Sequence, residues 1–275
     1  MNKNISVIGG DLRIVKLVNL LQVEGFNILT FGLEKSDEIK QVYKVDSIKE
    51  CLNYSNIILT SIPFSKDGEN VNAPYSNEKI QISQLVNEIK CSKNEMVFIA
   101  GGLAKQFIDS LEDNVKIIDL LEDESLTIMN AIPSAEGAIQ VAMQESLKTL
   151  HGSNVLVLGF GRIGKILAKM LNGIGSKVYC EARKPQDIAW IEAYGYNAIQ
   201  LGNLDENLNK FDFIFNTIPY VILNKPQLDL LNPNCIIIDL ASKPGGIDFE
   251  YAKNIGIKTN WALGLPRKSG AGNSS

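Results

Sequence analysis

Short runs rich in isoleucine, valine and leucine alternate along this chain with longer segments whose apolar residues recur every three or four positions. The first pattern predicts buried strands and the second amphipathic helices. In the first half, strands are expected at Ile5 to Ile8, Asn27 to Phe31, Ile57 to Ser61 and Met96 to Ala100, with helices at Leu12 to Val23 and Ile80 to Ile89. In the second half, strands are expected at Val155 to Leu158, Lys177 to Glu181, Phe213 to Thr217 and Cys235 to Leu240, with helices at Ile163 to Leu171 and Gln227 to Leu231. Strand and helix alternating twice over predicts an α/β fold of two Rossmann-like parallel-sheet domains. Thr60-Ser61-Ile62-Pro63-Phe64 and Asn216-Thr217-Ile218-Pro219-Tyr220 echo one another at the ends of corresponding strands. Between the halves, Ile139, Met143, Leu147 and Leu150 keep helical spacing, and Ser134 after Pro133 reads as the N-cap. The expected domains are therefore 1–129, a joining helix over 130–150 with a cleft between the lobes, and 151–266.

The chemistry is concentrated at Gly159-Phe160-Gly161-Arg162-Ile163-Gly164, where a predicted strand runs into G-x-G-x-x-G and then a helix. Gly159 allows the sharp turn, Gly161 lets the backbone approach a pyrophosphate, and Gly164 lets the helix pack close to the sheet. The helix N-terminus then directs its amides at the phosphates. NAD sites place an acid about 20 residues further on, at the end of the next strand. Here Ala182 lies 18 residues beyond Gly164 and is followed by Arg183 and Lys184. A small residue before two cations suits the 2′-phosphate of NADP, so NADP is favoured over NAD. Glu181 keeps the alternative open, since a shift of one residue would make it a ribose acceptor, and Arg183 and Lys184 also read as a solvated strand end. Thr217, Ile218 and Pro219 are expected beside the cofactor.

The first half carries a weaker turn, Gly9-Gly10-Asp11-Leu12-Arg13-Ile14, which lacks the third glycine and places an acid where phosphate would lie. It is not expected to bind a dinucleotide. Arg13 is a candidate for an anionic substrate; the alternative is that Asp11 caps the helix and Arg13 is surface. Ser65, Lys66, Ser134 and Ser242 are further substrate-binding candidates, and Glu136 and Lys243 are candidate proton acceptors. Gly245 and Gly246 beside Lys243 also fit a plain turn.

Composition narrows the class. The chain has 275 residues, is 45% hydrophobic and carries a formal net charge of −4, enough for a real core and without the basic excess of a nucleic-acid binder. Cys51, Cys91, Cys180 and Cys235 show no C-x-x-C spacing, which argues for reduced, core-filling thiols and against a metal site. No apolar run reaches the roughly 18 residues of a membrane span, and a cytosolic protein is expected. His151 is the only histidine and sits at a helix-to-strand boundary, so a cap or surface role is expected. Oxidation of a hydroxyl commonly needs a histidine base; formation of an aromatic product depends less on one.

Gly9 to Arg13, Asn130-Ala-Ile-Pro-Ser-Ala-Glu-Gly137, His151 to Gly164, Glu181-Ala-Arg183, Asn216-Thr-Ile-Pro219 and Ile238 to Gly246 are spread over nearly the whole chain, and together they resemble the family of the dipicolinate synthase A-subunit. The resemblance implies oxidation of a dihydrodipicolinate from the lysine and diaminopimelate pathway to dipicolinate with NADP. It also implies a flavoprotein-like partner, the dipicolinate synthase B-subunit, in the mother cell of a sporulating bacterium. A homo-oligomer stays open. Another NADP oxidoreductase of a small carboxylated substrate, or a non-catalytic NADP-binding protein, remains as an alternative. Where the family pattern continues into a closing helix, Gly264-Leu-Pro266 runs here into a small, polar stretch from Arg267 to Ser275, expected to be a disordered tail on an altered or truncated C-terminus.

Overall fold

The computed structural model of the chain describes residues 3–39 and 42–262. Among these, the strands form two six-stranded parallel sheets, one in each of two compact units divided between Thr127 and Ile128. In the first unit the sheet runs in the order β3-β2-β1-β4-β5-β6. Its strands are β1 (Asn4–Ile8), β2 (Asn27–Phe31), β3 (Tyr43–Lys44), β4 (Ile57–Leu59), β5 (Met96–Ala100) and β6 (Val115–Asp119). The second sheet contains β7 (Asn154–Leu158), β8 (Lys177–Ala182), β9 (Asn197–Gln200), β10 (Phe213–Asn216), β11 (Ile236–Asp239) and β12 (Lys258–Trp261), in the order β12-β11-β10-β7-β8-β9. Each is the doubly wound 3-2-1-4-5-6 order, whose direction reverses beside its first strand, at β1/β4 and at β7/β10.

The continuous apolar runs of the central strands follow from burial on both faces. In β11, Ile236 and Ile238 face a core built with Leu167, Ala168 and Leu171 of helix α6 (Arg162–Ile174), whereas Ile237 faces Leu204, Leu208 and Leu228 on the other side. In β1, Val7 packs with Ile14, Val15 and Val18 of α1 (Leu12–Val23), and Ile8 lies in the opposite core with Cys51 of α2 (Ile48–Tyr54), Leu85 and Ile89 of α3 (Ile82–Ser92) and Phe107 of α4 (Lys105–Asp109).

The joining helix differs from the expectation at both ends. Helix α5 spans Glu124–Glu145 and contains Pro133 in its interior. Asp123, not Ser134, caps it: Leu126 N–H donates to the Asp123 carboxylate at 3.0 Å. Ser134 Oγ instead donates back to the Asn130 carbonyl at 3.1 Å, the internal bond available to a serine within a helix. A mid-helix proline costs about 3 kcal/mol; burial of Ala135, Ala138, Ile139 and Ala142 against α6 and the second sheet offsets it. The helix ends before Leu147, which is fully exposed, while Leu150 beyond it returns to the core. The expected tail from Arg267 to Ser275 lies outside the described residues.

Cys51, Cys180 and Cys235 are buried as expected, whereas Cys91 is exposed. His151 has a structural place, its Nδ1 3.0 Å from the Ile174 carbonyl. Among the described residues no helix is long and apolar enough to cross a membrane, and no group of three or more His, Cys, Asp or Glu could hold a metal.

The tightest helix-to-strand approach is at Gly164, where an added Cβ would overlap the Gly159 carbonyl, while at Gly161 a Cβ would meet nothing within 4 Å. Gly164→Ala is therefore expected to destabilise the second unit by about 1–3 kcal/mol, and Gly161→Ala to change it by less than about 0.5 kcal/mol. Denaturant unfolding read by tryptophan fluorescence measures this, because Trp190 and Trp261 are both in the second unit. Equal effects of the two substitutions would refute the packing argument.

Candidate functional site

In the second unit, β7 ends in a turn with Gly159 at φ +88° and enters α6 directly, Gly161 being the N-cap. No side chain caps this helix, and the open space over Gly161 leaves its first-turn amides accessible to an anion. Gly159 is required twice: its φ is left-handed, and a Cβ would stand 2.7 Å from Thr217 Oγ1. Thr217 follows β10 and donates to the Leu158 carbonyl at 2.8 Å, tying the β10 loop to the glycine turn across the point where strand order reverses. Ile218 N–H donates to Asn216 Oδ1, and Pro219 is exposed. Phe160 is buried in the core beside α6, and Arg162 and Ile163 open the helix.

The end of β8 carries the expected residues in distinct environments. Ala182 is buried, Arg183 is exposed, and Lys184 is the N-cap of α7 (Pro185–Ala193). Glu181 is only 1% exposed. Burial pushes its carboxyl above the usual range, opposed by the bond from Gly159 N–H and by the Arg183 guanidinium. Its Oε1 has no hydrogen-bond partner among the described residues. The carboxyl thus lies under the glycine turn and out of solvent.

Sequence reasoning missed the group that holds the next loop. Asp239 ends β11 fully buried and accepts from Asn216 Nδ2 at 2.8 Å, Ala241 N–H at 2.9 Å and Gly246 N–H at 2.8 Å. The segment carrying Ser242 and Lys243, both exposed, is thereby clasped at its two ends. An acid closing an all-isoleucine strand, Ile236-Ile-Ile-Asp239, was the available signal. Asp119 does the same at the end of β6, accepting from Gly102, Leu103 and Leu121 N–H.

The remaining candidates are dispersed. Glu136 is exposed on α5 and lines a shallow, mostly apolar depression with Ile139, Met143, Met170 and Ile174. Met170 and Ile174 belong to the last turns of α6, roughly 14 and 20 Å along the helix from Gly161 at 1.5 Å per residue, so Glu136 is not brought to the glycine turn. In the first unit, Ser65 Oγ is engaged within its own turn by the Asn70 carbonyl, Asp67 and Gly68 N–H. Lys66 lines a cavity of about 660 Å³ with Phe64, Gln81, Gln106 and Phe107. Asp11 caps α1, and Arg13 is folded onto it, Nη2 to Oδ2 at 2.8 Å, with a second bond to the Ile62 carbonyl. The arginine side chain is still half exposed. Gly10 N–H donates to the Asn72 carbonyl at 3.0 Å, so the first unit's own loop takes a donor that a phosphate would need.

Similarity to known proteins follows the same division. Residues 4–121 match the family described as the N-terminal domain of the dipicolinate synthase A-subunit, and residues 131–244 match the D-isomer specific 2-hydroxyacid dehydrogenase NAD binding domain. The chain is 33% identical to the dipicolinate synthase A-subunit of Bacillus subtilis over 266 residues, 95% of this chain and 88% of that one. The chain belongs to the dipicolinate synthase A-subunit family. Crystal structures of family members from Bacillus subtilis and Bacillus halodurans each superpose with a TM-score of 0.85 at 30% identity, over 97% of this chain and 89% and 91% of theirs. This family member is accordingly an oxidoreductase whose second unit binds a nicotinamide dinucleotide.

The Glu181 environment has a pH consequence. The folded state keeps a proton on this carboxyl over a range in which the unfolded chain has released it, so its contribution to stability falls as pH rises from the ordinary carboxylate range through the raised folded value. Glutamine cannot ionise. The melting temperature of Glu181→Gln relative to the parent should therefore improve as pH rises above the ordinary carboxylate range of about 4. A difference independent of pH would show that Glu181 does not titrate in this way.

Proposed function

We propose that this chain oxidises a dihydrodipicolinate, drawn from the lysine and diaminopimelate pathway, to pyridine-2,6-dicarboxylate with NADP as hydride acceptor. Similarity to one of the dipicolinate synthase subunits over 95% of the chain, joined to an open pyrophosphate turn at Gly161, carries this reading. The turn from Gly159 to Gly164 would hold the pyrophosphate, and Thr217, Ile218 and Pro219 line the same crevice. Arg183 and Lys184 would take the adenosine 2′-phosphate. The burial of Glu181 supports NADP over NAD, because the acid that would otherwise meet the ribose is engaged under Gly159. When bound, the nicotinamide supplies the hydride acceptor.

The substrate is a dianion, and the chain offers cations and hydroxyls on both units: Arg13 and Lys66 on the first, Ser242 and Lys243 on the second. Arg13 is already aimed by Asp11, and its half-exposed guanidinium retains donors for a carboxylate. Ser65 and Ser134 are weaker candidates, their hydroxyls being turned onto the backbone. Lys243 is the proposed acceptor of the ring proton, since Glu136 lies away from the glycine turn. Loss of that proton is driven by formation of the aromatic ring, so a base specially tuned by its surroundings is not required. The reading includes the flavoprotein-like B-subunit of dipicolinate synthase as partner and a place in the mother cell of a sporulating bacterium.

The decisive assay follows NADPH absorbance with purified chain, NADP and substrate generated in situ, with and without the partner. Dipicolinate formed in step with NADPH is the expected outcome; NADP binding without turnover under either condition would overturn the assignment in favour of a non-catalytic nucleotide-binding protein. Arg13→Ala should raise KM for the substrate with little change in KM for NADP. Equal changes in both would remove Arg13 from the substrate site.

A further inference from the structure

Arg183 and Tyr220 extend from different strand ends and meet. Arg183 follows β8 immediately, and Tyr220 lies four residues beyond β10. Because β7 runs between β8 and β10, neighbouring strands about 4.8 Å apart place these two strand ends nearly 10 Å from each other. The side chains close that gap, with the guanidinium carbon 5.6 Å from the centre of the Tyr220 ring. Among the described residues Arg183 has no carboxylate within 4.0 Å, although its charge is felt by the buried Glu181, and Tyr220 packs on no other aromatic ring although it is 40% exposed. The contact therefore bridges the carboxyl edge of β7, over the turn whose space at Gly161 is open.

An exposed arginine on a strand end samples many rotamers, and ordering it on arrival of a ligand opposes binding. The ring of Tyr220 removes part of that cost. It attracts the cation through its face while leaving the edge N–H donors of the guanidinium available for a phosphate. The neighbouring N-terminus of α7, with Lys184 as its N-cap and no side chain capping it, adds positive potential of the same sign.

We infer that Tyr220 is a positioning residue for the adenosine 2′-phosphate, acting by holding the Arg183 guanidinium across the β8–β10 crevice. The inference rests on the NADP reading above and deepens it. Tyr220 then contributes to discrimination between NADP and NAD without contacting the reacting carbon.

The test is equilibrium binding of 2′,5′-ADP and of 5′-AMP to the full chain, by titration calorimetry, for the parent, Arg183→Ala, Tyr220→Ala and Tyr220→Phe, with circular dichroism as the folding control. The parent should prefer 2′,5′-ADP, and Arg183→Ala should lose that preference. Tyr220→Ala should reduce the ratio of the two affinities by about two- to fivefold, the range of an exposed cation–π contact, with the loss confined to 2′,5′-ADP. Tyr220→Phe, which keeps the ring face, should restore the parental ratio. A Tyr220→Ala ratio equal to the parent's, beside a collapsed Arg183→Ala ratio, would overturn the role of Tyr220 and leave the NADP reading standing. A Tyr220→Phe variant as impaired as Tyr220→Ala would overturn the ring-face argument. Equal binding of both nucleotides by the parent, or binding of neither, would overturn the NADP reading itself.

Discussion

The close approach of Gly164 to the Gly159 carbonyl is the contact on which the second unit's chemistry depends. It seats α6 against the end of β7, and only then do the uncapped amides of the helix face the space over Gly161. Thr217 locks the turn from the other side, its hydroxyl lying where any side chain at Gly159 would have to go. Three glycines thus do three separate jobs, one of backbone conformation, one of open volume and one of packing distance.

The first unit has the same strand order and solves the same junction differently. Ile14 stands where the second unit has Gly164, and the room for it comes from Gly10, where a Cβ would be 2.6 Å from the isoleucine. Asp11 replaces Gly161 and caps the helix with its own carboxylate, a contribution of about 0.5–2 kcal/mol that also places a negative charge where phosphate would lie. Asn72 then takes the Gly10 amide. Identical topology therefore yields one unit whose turn is open to a ligand and one whose turn is filled by the chain itself. Each unit also ends one strand in an acid, Asp119 on β6 and Asp239 on β11, and although the two strands are not equivalent in the sheet order, each acid gathers three donors from the loops around it.

The central strands and the glycine turn were legible because their constraints are local. A run buried on both faces needs nothing but apolar residues, and a pyrophosphate turn needs glycines at fixed spacing. The edge strands β3, β6, β9 and β12 were not, since partial exposure mixes polar residues into them, as in the alternating burial of Val115–Asp119. Pro133 misled the reading of α5, because a proline followed by serine is a start signal in isolation, while the buried alanines that carry the helix through it declare themselves only in the packed unit. Glu136, Asp239 and Tyr220 share one reason: the use of each is set by what a distant segment brings to it. Glu136 meets the far end of α6, Asp239 meets Asn216 and Gly246, and Tyr220 meets Arg183.

These placements constrain how the proposed oxidation can work. The two carboxylates deepest in the second unit are unsuited to take a proton from substrate: Asp239 has its oxygens committed to three donors, and Glu181 is buried beneath the glycine turn. The lone histidine is bound to the end of α6. The exposed cofactor- and substrate-binding candidates at the strand ends are cationic or hydroxylic, with Arg183, Lys184, Ser242 and Lys243 in the second unit and Arg13 and Lys66 in the first. Such a set binds anions well and abstracts protons poorly, which is the wrong balance for oxidising an alcohol and the right one for a dicarboxylate whose oxidised ring is aromatic. On that reading the fold contributes orientation and charge, and the stability of the product contributes the driving force that a strong base would otherwise have to supply.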